Sequence, residues 1–118
     1  MGTAAYRACV LKGRARFRRL FDAGRFVRTP AVSLLLLSAP EDRLRMAICV
    51  SRKLGNAVQR NRYRRVTREA LDELIGDVEH GFYVAVFPRE PFLKMAASAR
   101  KQALQGGLRE AGLLEAAP

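Results

Sequence analysis

Five arginines fall within nine residues in the segment Arg60-Asn61-Arg62-Tyr63-Arg64-Arg65-Val66-Thr67-Arg68. A guanidinium is permanently charged and presents a planar fork of N–H donors that matches a phosphate, so this density points to a polyanionic ligand. Tyr63, Val66, Ala70 and Leu74 recur at helical spacing with Thr67 beside them, while Asn61, Arg65 and Arg68 fall on the opposite side. The arginines then lie in the first turns of a helix over about residues 56–75, where the peptide dipoles already place partial positive charge. Exposed cations lose roughly a few tenths of a kcal/mol each at that end, and a bound phosphate reverses the sign. Asn61 adds an amide able to pair with a base edge or a ribose hydroxyl. The competing reading, a solvated arginine face balanced by Glu69, Asp72 and Glu73, has too few acids, and they come after the arginines.

A second constellation is aromatic. Phe17 and Phe21 stand one helical turn apart among Arg14, Arg16, Arg18 and Arg19, an interleaving that lets bases stack while phosphates are held. The same spacing also serves a core, and one ring could serve each purpose. Catalytic chemistry has no comparable signal: His80 is the single histidine, placed before a glycine in a loop, and the acids are not clustered for a metal. Cys9 and Cys49 have no Cys-x-x-C or Cys/His spacing, so free thiols in a reducing compartment are expected, with Cys49 a small core residue.

The net charge of +11 is segregated: residues 1–68 hold 17 Lys and Arg against 3 acids, residues 69–118 hold 5 against 8. The basic surface therefore belongs to the first part of the chain. No apolar run approaches a membrane span and no signal peptide is visible. The elements that position these residues fit one domain over 1–118, with 1–10 and 108–118 expected to be flexible. A helix over residues 14–23 ends at Gly24. Residues 31–37 and 44–50 read as an antiparallel hairpin about the turn Ala39-Pro40-Glu41-Asp42. After the arginine helix, a strand over residues 82–87 stops at Pro88. Glu90-Pro91 opens a last helix, with Phe92, Met95, Ala96, Ala99 and Ala103 along one side and a break at Gly106-Gly107. This order predicts an α+β fold, a two-layer α/β sandwich with helices covering one sheet.

The stretch Ser51-Arg52-Lys53-Leu54-Gly55-Asn56-Ala57-Val58, followed by Arg60-Asn61-Arg62 and Arg68-Glu69-Ala70, resembles the bacterial ribonuclease P protein family, whose hallmark is an Arg-Asn-Arg helix behind such a lead-in. The likeness runs from Leu11-Lys12 through Phe17-Arg18-Arg19-Leu20-Phe21 and Gly24 to the final helix. It implies that the Arg-Asn-Arg helix forms a left-handed crossover between parallel strands. It implies that Arg60, Asn61, Arg62, Arg64, Arg65 and Arg68 contact the ribonuclease P RNA, with Arg52 and Lys53 as phosphate contacts. A cleft between the first helix and the sheet would take the single-stranded 5′ leader of precursor tRNA, touching Phe17 and Phe21. Leu36, by ungapped count from Gly24, stands where relatives often carry an aromatic and is expected to line that cleft; Thr29-Pro30 replaces an Arg or Asn before the strand. The implied reaction is phosphodiester hydrolysis that leaves a 5′ phosphate on mature tRNA, carried out by the RNA with bound Mg²⁺. The protein would be a non-catalytic, cytoplasmic subunit of this endoribonuclease, with no membrane and no obligate protein partner.

Three other classes share part of the pattern. A ribosomal or other structural RNA-binding protein would match the size and basicity. A DNA-binding module would need a helix-turn-helix, whereas a β hairpin is expected before the arginine helix. An autonomous nuclease would need catalytic groups that the sequence does not assemble.

Overall fold

The computed structural model describes residues 5–115; residues 1–4 and 116–118, on which part of the expected flexibility falls, lie outside the described residues. A short helix α1 (Ala5–Ala8) precedes α2 (Arg14–Ala23), whose Leu20 is buried. Gly24 ends α2 by close approach and not by a left-handed turn. Its φ is −72°, and a Cβ there would lie 2.5 Å from the Leu20 carbonyl oxygen and 2.9 Å from Leu35 Cδ1.

Strand β1 (Arg25–Arg28), absent from the sequence reading, pairs antiparallel with β2 (Val32–Ser38). Strands β3 (Leu44–Ile48) and β4 (Phe82–Pro88) complete a sheet of order β1-β2-β4-β3. The expected hairpin of residues 31–37 with 44–50 does not form, because β4 lies between them, antiparallel to β2 and parallel to β3. The reason is burial. Leu34, Leu35 and Leu36 are all buried, as are Tyr83, Val84, Ala85 and Val86, so each strand needs neighbours on both sides and cover on both faces. The β3–β4 link runs through a 3₁₀ turn (Arg52–Leu54), the long helix α3 (Ala57–Asp72) and a second 3₁₀ turn (Ile75–Asp77). It supplies the parallel β-α-β connection that the family resemblance calls for.

The single last helix is in fact two, α4 (Glu90–Lys94) and α5 (Ala97–Glu110). Gly106-Gly107 does not break α5. Gly107 is buried, and its Cβ position lies 3.5 Å from both Leu34 Cδ1 and Val32 Cγ2, so the missing side chain lets the helix settle on β2. Both described ends also pack against the core. Leu108, Ala111 and Leu113 are buried, and Arg25 Nη2 donates to the Ala111 carbonyl at 2.9 Å. At the other end, Tyr6 N donates to Asp72 Oδ1 at 2.7 Å, and Leu11 N and Met46 N make backbone bonds to Met46 O and Cys9 O at 2.7 and 2.6 Å. The segment thereby covers the open edge of β3.

The two faces of the sheet differ. Leu34, Leu36, Met46, Val84 and Val86 pack against Val66 and Leu71 of α3, Phe92 of α4 and Leu104 and Leu108 of α5. On the opposite face Leu35, Ala47, Tyr83 and Ala85 meet Leu20 of α2 and Leu11 from the segment before it. One ten-residue helix leaves part of that second face accessible.

Candidate nucleic-acid interface

The lead-in to α3 is helix-initiation chemistry. Asn56 Oδ1 accepts from Gln59 N and Gln59 Oε1 accepts from Asn56 N, both at 2.9 Å, a reciprocal capping box. Gly55 has φ +134°, and a Cβ on it would fall 2.0 Å from Gln59 Oε1, so the box excludes a side chain there. Ser51 Oγ accepts from Lys53 N at 3.2 Å and closes the preceding 3₁₀ turn. The cap takes up one of the free N–H groups at this helix end, so an anion there would have to be held chiefly by side chains.

Tyr63, Val66, Thr67, Ala70 and Leu71 form the buried face of α3, and Thr67 Oγ1 donates to the Tyr63 carbonyl at 2.7 Å. Arg62, Arg64 and Arg65 are exposed, together with Arg52, Lys53 and Asn61, while Arg60 and Arg68 are half-buried at the flank. All eight sequence-predicted RNA contacts thus lie on α3 or its lead-in turn. Among the described residues the ion pairs are Arg16–Glu41, Arg45–Glu41, Lys94–Glu90 and Lys101–Glu73; none uses a cation between Arg52 and Arg68. Two of the three acids proposed as partners are engaged elsewhere, Glu73 with Lys101 at 3.4 Å and Asp72 as acceptor from Tyr6 N; Glu69 is exposed and pairs with none of the arginines. Arg64 Nη1 donates instead to Asn61 Oδ1 at 3.0 Å, which leaves the Asn61 NH₂ as a donor. Arg60 Nε is buried with no hydrogen-bond partner. Burial pushes the Cys49 thiol up, with the Arg64 guanidinium opposing the shift, so the arginine flank of α3 stands beside the end of β3.

The second predicted constellation lies on the other face. Phe17 is half-buried, Phe21 is 52% exposed, and their ring centroids are 6.4 Å apart at 18°. Two rings that sequence reasoning missed extend them: Phe87 lies 6.3 Å from Phe21 and 5.9 Å from Phe26, and the Arg28 guanidinium sits 4.6 Å from the Phe26 centroid. The alternation Arg25-Phe26-Val27-Arg28 just after Gly24 carried the signal, since period two puts Phe26 and Arg28 on one face. Leu36 is not part of this surface. It is 3% exposed and belongs to the core under α3 and α5; its neighbours Leu35 and Leu37 take the α2 side. The assignment of Leu36 as a leader contact is therefore corrected.

Glu41 braces the back of this groove. Its carboxylate accepts from Arg45 Nε at 2.6 Å, from Arg16 of α2 at 3.4 Å and from the Tyr83 hydroxyl at 3.3 Å. The Arg45 hydrogen bond, opposed by desolvation and supported by the charges of Arg45 and Arg16, holds its carboxyl below the usual range. Among the described residues no group of three or more His, Cys, Asp or Glu is placed to hold a metal ion, and no helix is long and apolar enough to cross a membrane.

Comparison with known proteins agrees with this arrangement. A family profile described as Ribonuclease P matches residues 6–112. The ribonuclease P protein component of Symbiobacterium thermophilum is 35% identical over 112 residues, covering 94% of this chain and 95% of the relative. That of Coprothermobacter proteolyticus is 37% identical over 89 residues, covering 75% and 72%. A mutant RNase P protein from Staphylococcus aureus superposes with a TM-score of 0.81 at 26% identity, covering 95% of both chains. The RNase P protein of Thermotoga maritima superposes with a TM-score of 0.76 at 26% identity, covering 86% and 96%. On sequence and fold together, the chain belongs to the bacterial ribonuclease P protein family, the protein components of an endoribonuclease that works with ribonuclease P RNA in tRNA 5′ processing.

Proposed function

We propose that this chain binds the catalytic RNA of ribonuclease P through the arginines of α3 and the 5′ leader of precursor tRNA through the groove beside α2. The observation that carries the first half is the unneutralised arginine face: among the described residues none of its cations stands in an ion pair, and Asp72 and Glu73 nearby are held by other partners. Such cations release counterions on meeting phosphates, and that release drives association. Arg60, Arg62, Arg64, Arg65 and Arg68, with Arg52 and Lys53 on the preceding turn, are the phosphate contacts in this reading, and Asn61 offers its NH₂ to a base edge or ribose. For the second half, Phe17 and Phe21 present rings on which unpaired bases stack.

In this reading hydrolysis belongs to the RNA and its Mg²⁺, and no Mg²⁺ is assigned to the protein. The chain contributes affinity and orientation: by fixing the leader relative to the RNA it converts part of the entropy of aligning the scissile bond into binding energy provided beforehand. Its working place is the cytoplasm, without a membrane or an obligate protein partner.

The test is reconstitution on precursor tRNA at low Mg²⁺ with a bacterial ribonuclease P RNA. The RNA with this protein should cleave at the mature 5′ end far faster than the RNA alone, and the protein alone should cleave nothing. Protein that selects ribosomal RNA over ribonuclease P RNA, or that cleaves without RNA, would overturn the proposal.

A further inference from the structure

The aromatic surface does not stop at α2. Phe26 pairs with Leu35, Arg28 with Ser33, and Ser33 with Phe87, so Phe26, Arg28 and Phe87 share the sheet face on which α2 lies. The rings follow one another as Phe17, Phe21, Phe87, Phe26, with centroid steps of 6.4, 6.3 and 5.9 Å. Phe26 is 45% exposed on a four-residue edge strand. An apolar ring left open there, with the Arg28 cation against it, suits a ligand that offers both a π-face and a negative charge. Arg28 and Arg89 stand in no ion pair among the described residues, and Arg89 Nη1 is held near this edge by the Thr29 carbonyl at 3.2 Å.

We propose that Phe87, Phe26 and Arg28 form a second station for single-stranded nucleic acid, continuing the groove past α2 to the β1 edge and taking the distal nucleotides of the leader. The proposal rests on the leader reading above. The polarity follows from topology. The sheet order β1-β2-β4-β3 puts β1 at the edge opposite β3, and α3 with its arginines begins just beyond β3. A leader leaving a catalytic RNA docked on α3 enters the groove from the β3 side, passes Phe17 and then Phe21, and reaches Phe26 last. Short leaders engage the α2 rings alone, and only longer leaders reach Arg28.

The experiment is a leader-length series, from no leader to about ten nucleotides, bound to reconstituted RNA–protein complex with wild-type protein, Phe21→Ala, Phe26→Ala or Arg28→Gln. Phe26→Ala should match wild type on the shortest leaders and lose roughly 5- to 150-fold in affinity on the longest, the range for one stacked base. Arg28→Gln should lower the salt dependence for long leaders only. Arg28→Gln should melt close to wild type, whereas Phe26→Ala, a ring 45% exposed and packed on Phe87, should melt roughly 5–10 °C lower and remain folded at assay temperature, so that its effect is read from the dependence on leader length. If wild type gains affinity with leader and Phe21→Ala reduces that gain, yet Phe26→Ala follows wild type at every length, the second station is wrong and the leader reading stands. If wild type itself gains nothing from a leader, both fail. A change in the sedimenting mass of the free protein on Phe26→Ala, without a length-dependent loss, would assign the patch to a second copy of the chain and overturn the proposal.

Discussion

Phe21→Ala separates the binding role of the aromatic helix from its packing role. A fully packed phenylalanine costs about 3–5 kcal/mol when cut to alanine. Because Phe21 is 52% exposed, about half of that, roughly 2 kcal/mol, is the expected loss of stability. It includes the edge contact with Phe87 and the stacked contact with Phe17, each about 0.5–1.5 kcal/mol beyond burial. The melting temperature should fall by roughly 5–10 °C, which leaves the protein folded at assay temperature. If a leader base stacks on the ring, affinity of the reconstituted complex for precursor tRNA should drop by a further 1–3 kcal/mol, about 5- to 150-fold, while affinity for mature tRNA stays close to wild type. Equilibrium binding of both tRNAs beside a thermal melt of the same preparation reads the two quantities separately. A variant that loses stability but binds precursor and mature tRNA in the wild-type ratio would refute the stacking argument.

Leu36→Tyr should destabilise the fold by about 1–3 kcal/mol through overpacking, with a further cost if the hydroxyl lacks a partner; urea denaturation measures this, and a stable variant with tighter leader binding would restore the discarded assignment. Arg62→Ala and Arg65→Ala, both on exposed positions, should each lower the slope of log affinity for the RNA against log salt by about 0.7–0.9 in magnitude at unchanged stability, as read from filter binding across a salt series. Glu41→Gln should be less stable than wild type at neutral pH. Because the folded pKa of Glu41 is depressed, the wild-type advantage is complete above the ordinary glutamate value of about 4.3 and disappears as pH falls through the lower folded value. Melting temperatures of the two proteins across acid pH should converge, and a constant gap would contradict the assigned role of the carboxylate.

The arginine helix was legible because its signals are local. Asn56 and Gln59 form a cap that the sequence spells out, and the stripe of Tyr63, Val66 and Ala70 shows the buried side directly. Strand pairing was not local. The turn at residues 39–42 suggested that its flanking strands pair, but the uninterrupted apolar runs of β2 and β4 require both to be interior strands, and only the arrival of β4 from beyond α3 satisfies that. Leu36 went astray for a related reason. A strand with both faces buried has no polar alternation to fix its facing, so a count of one residue moved the assignment from Leu35 or Leu37 to the wrong side. Gly24 and Gly107 look like helix breakers in sequence, and both act by allowing a helix to lie close to β2. Phe26, Arg28 and Phe87 became visible as a group only once β1 and β4 were placed on either side of β2.

The most direct measurement compares the affinity of the ribonuclease P RNA for precursor and mature tRNA, each with and without the protein, at one fixed salt and Mg²⁺ concentration. Protein that holds the RNA through α3 and the leader through the groove raises affinity for precursor tRNA and leaves that for mature tRNA nearly unchanged. Equal enhancement of both, or enhancement that survives the Phe17→Ala, Phe21→Ala double variant in folded form, would contradict it.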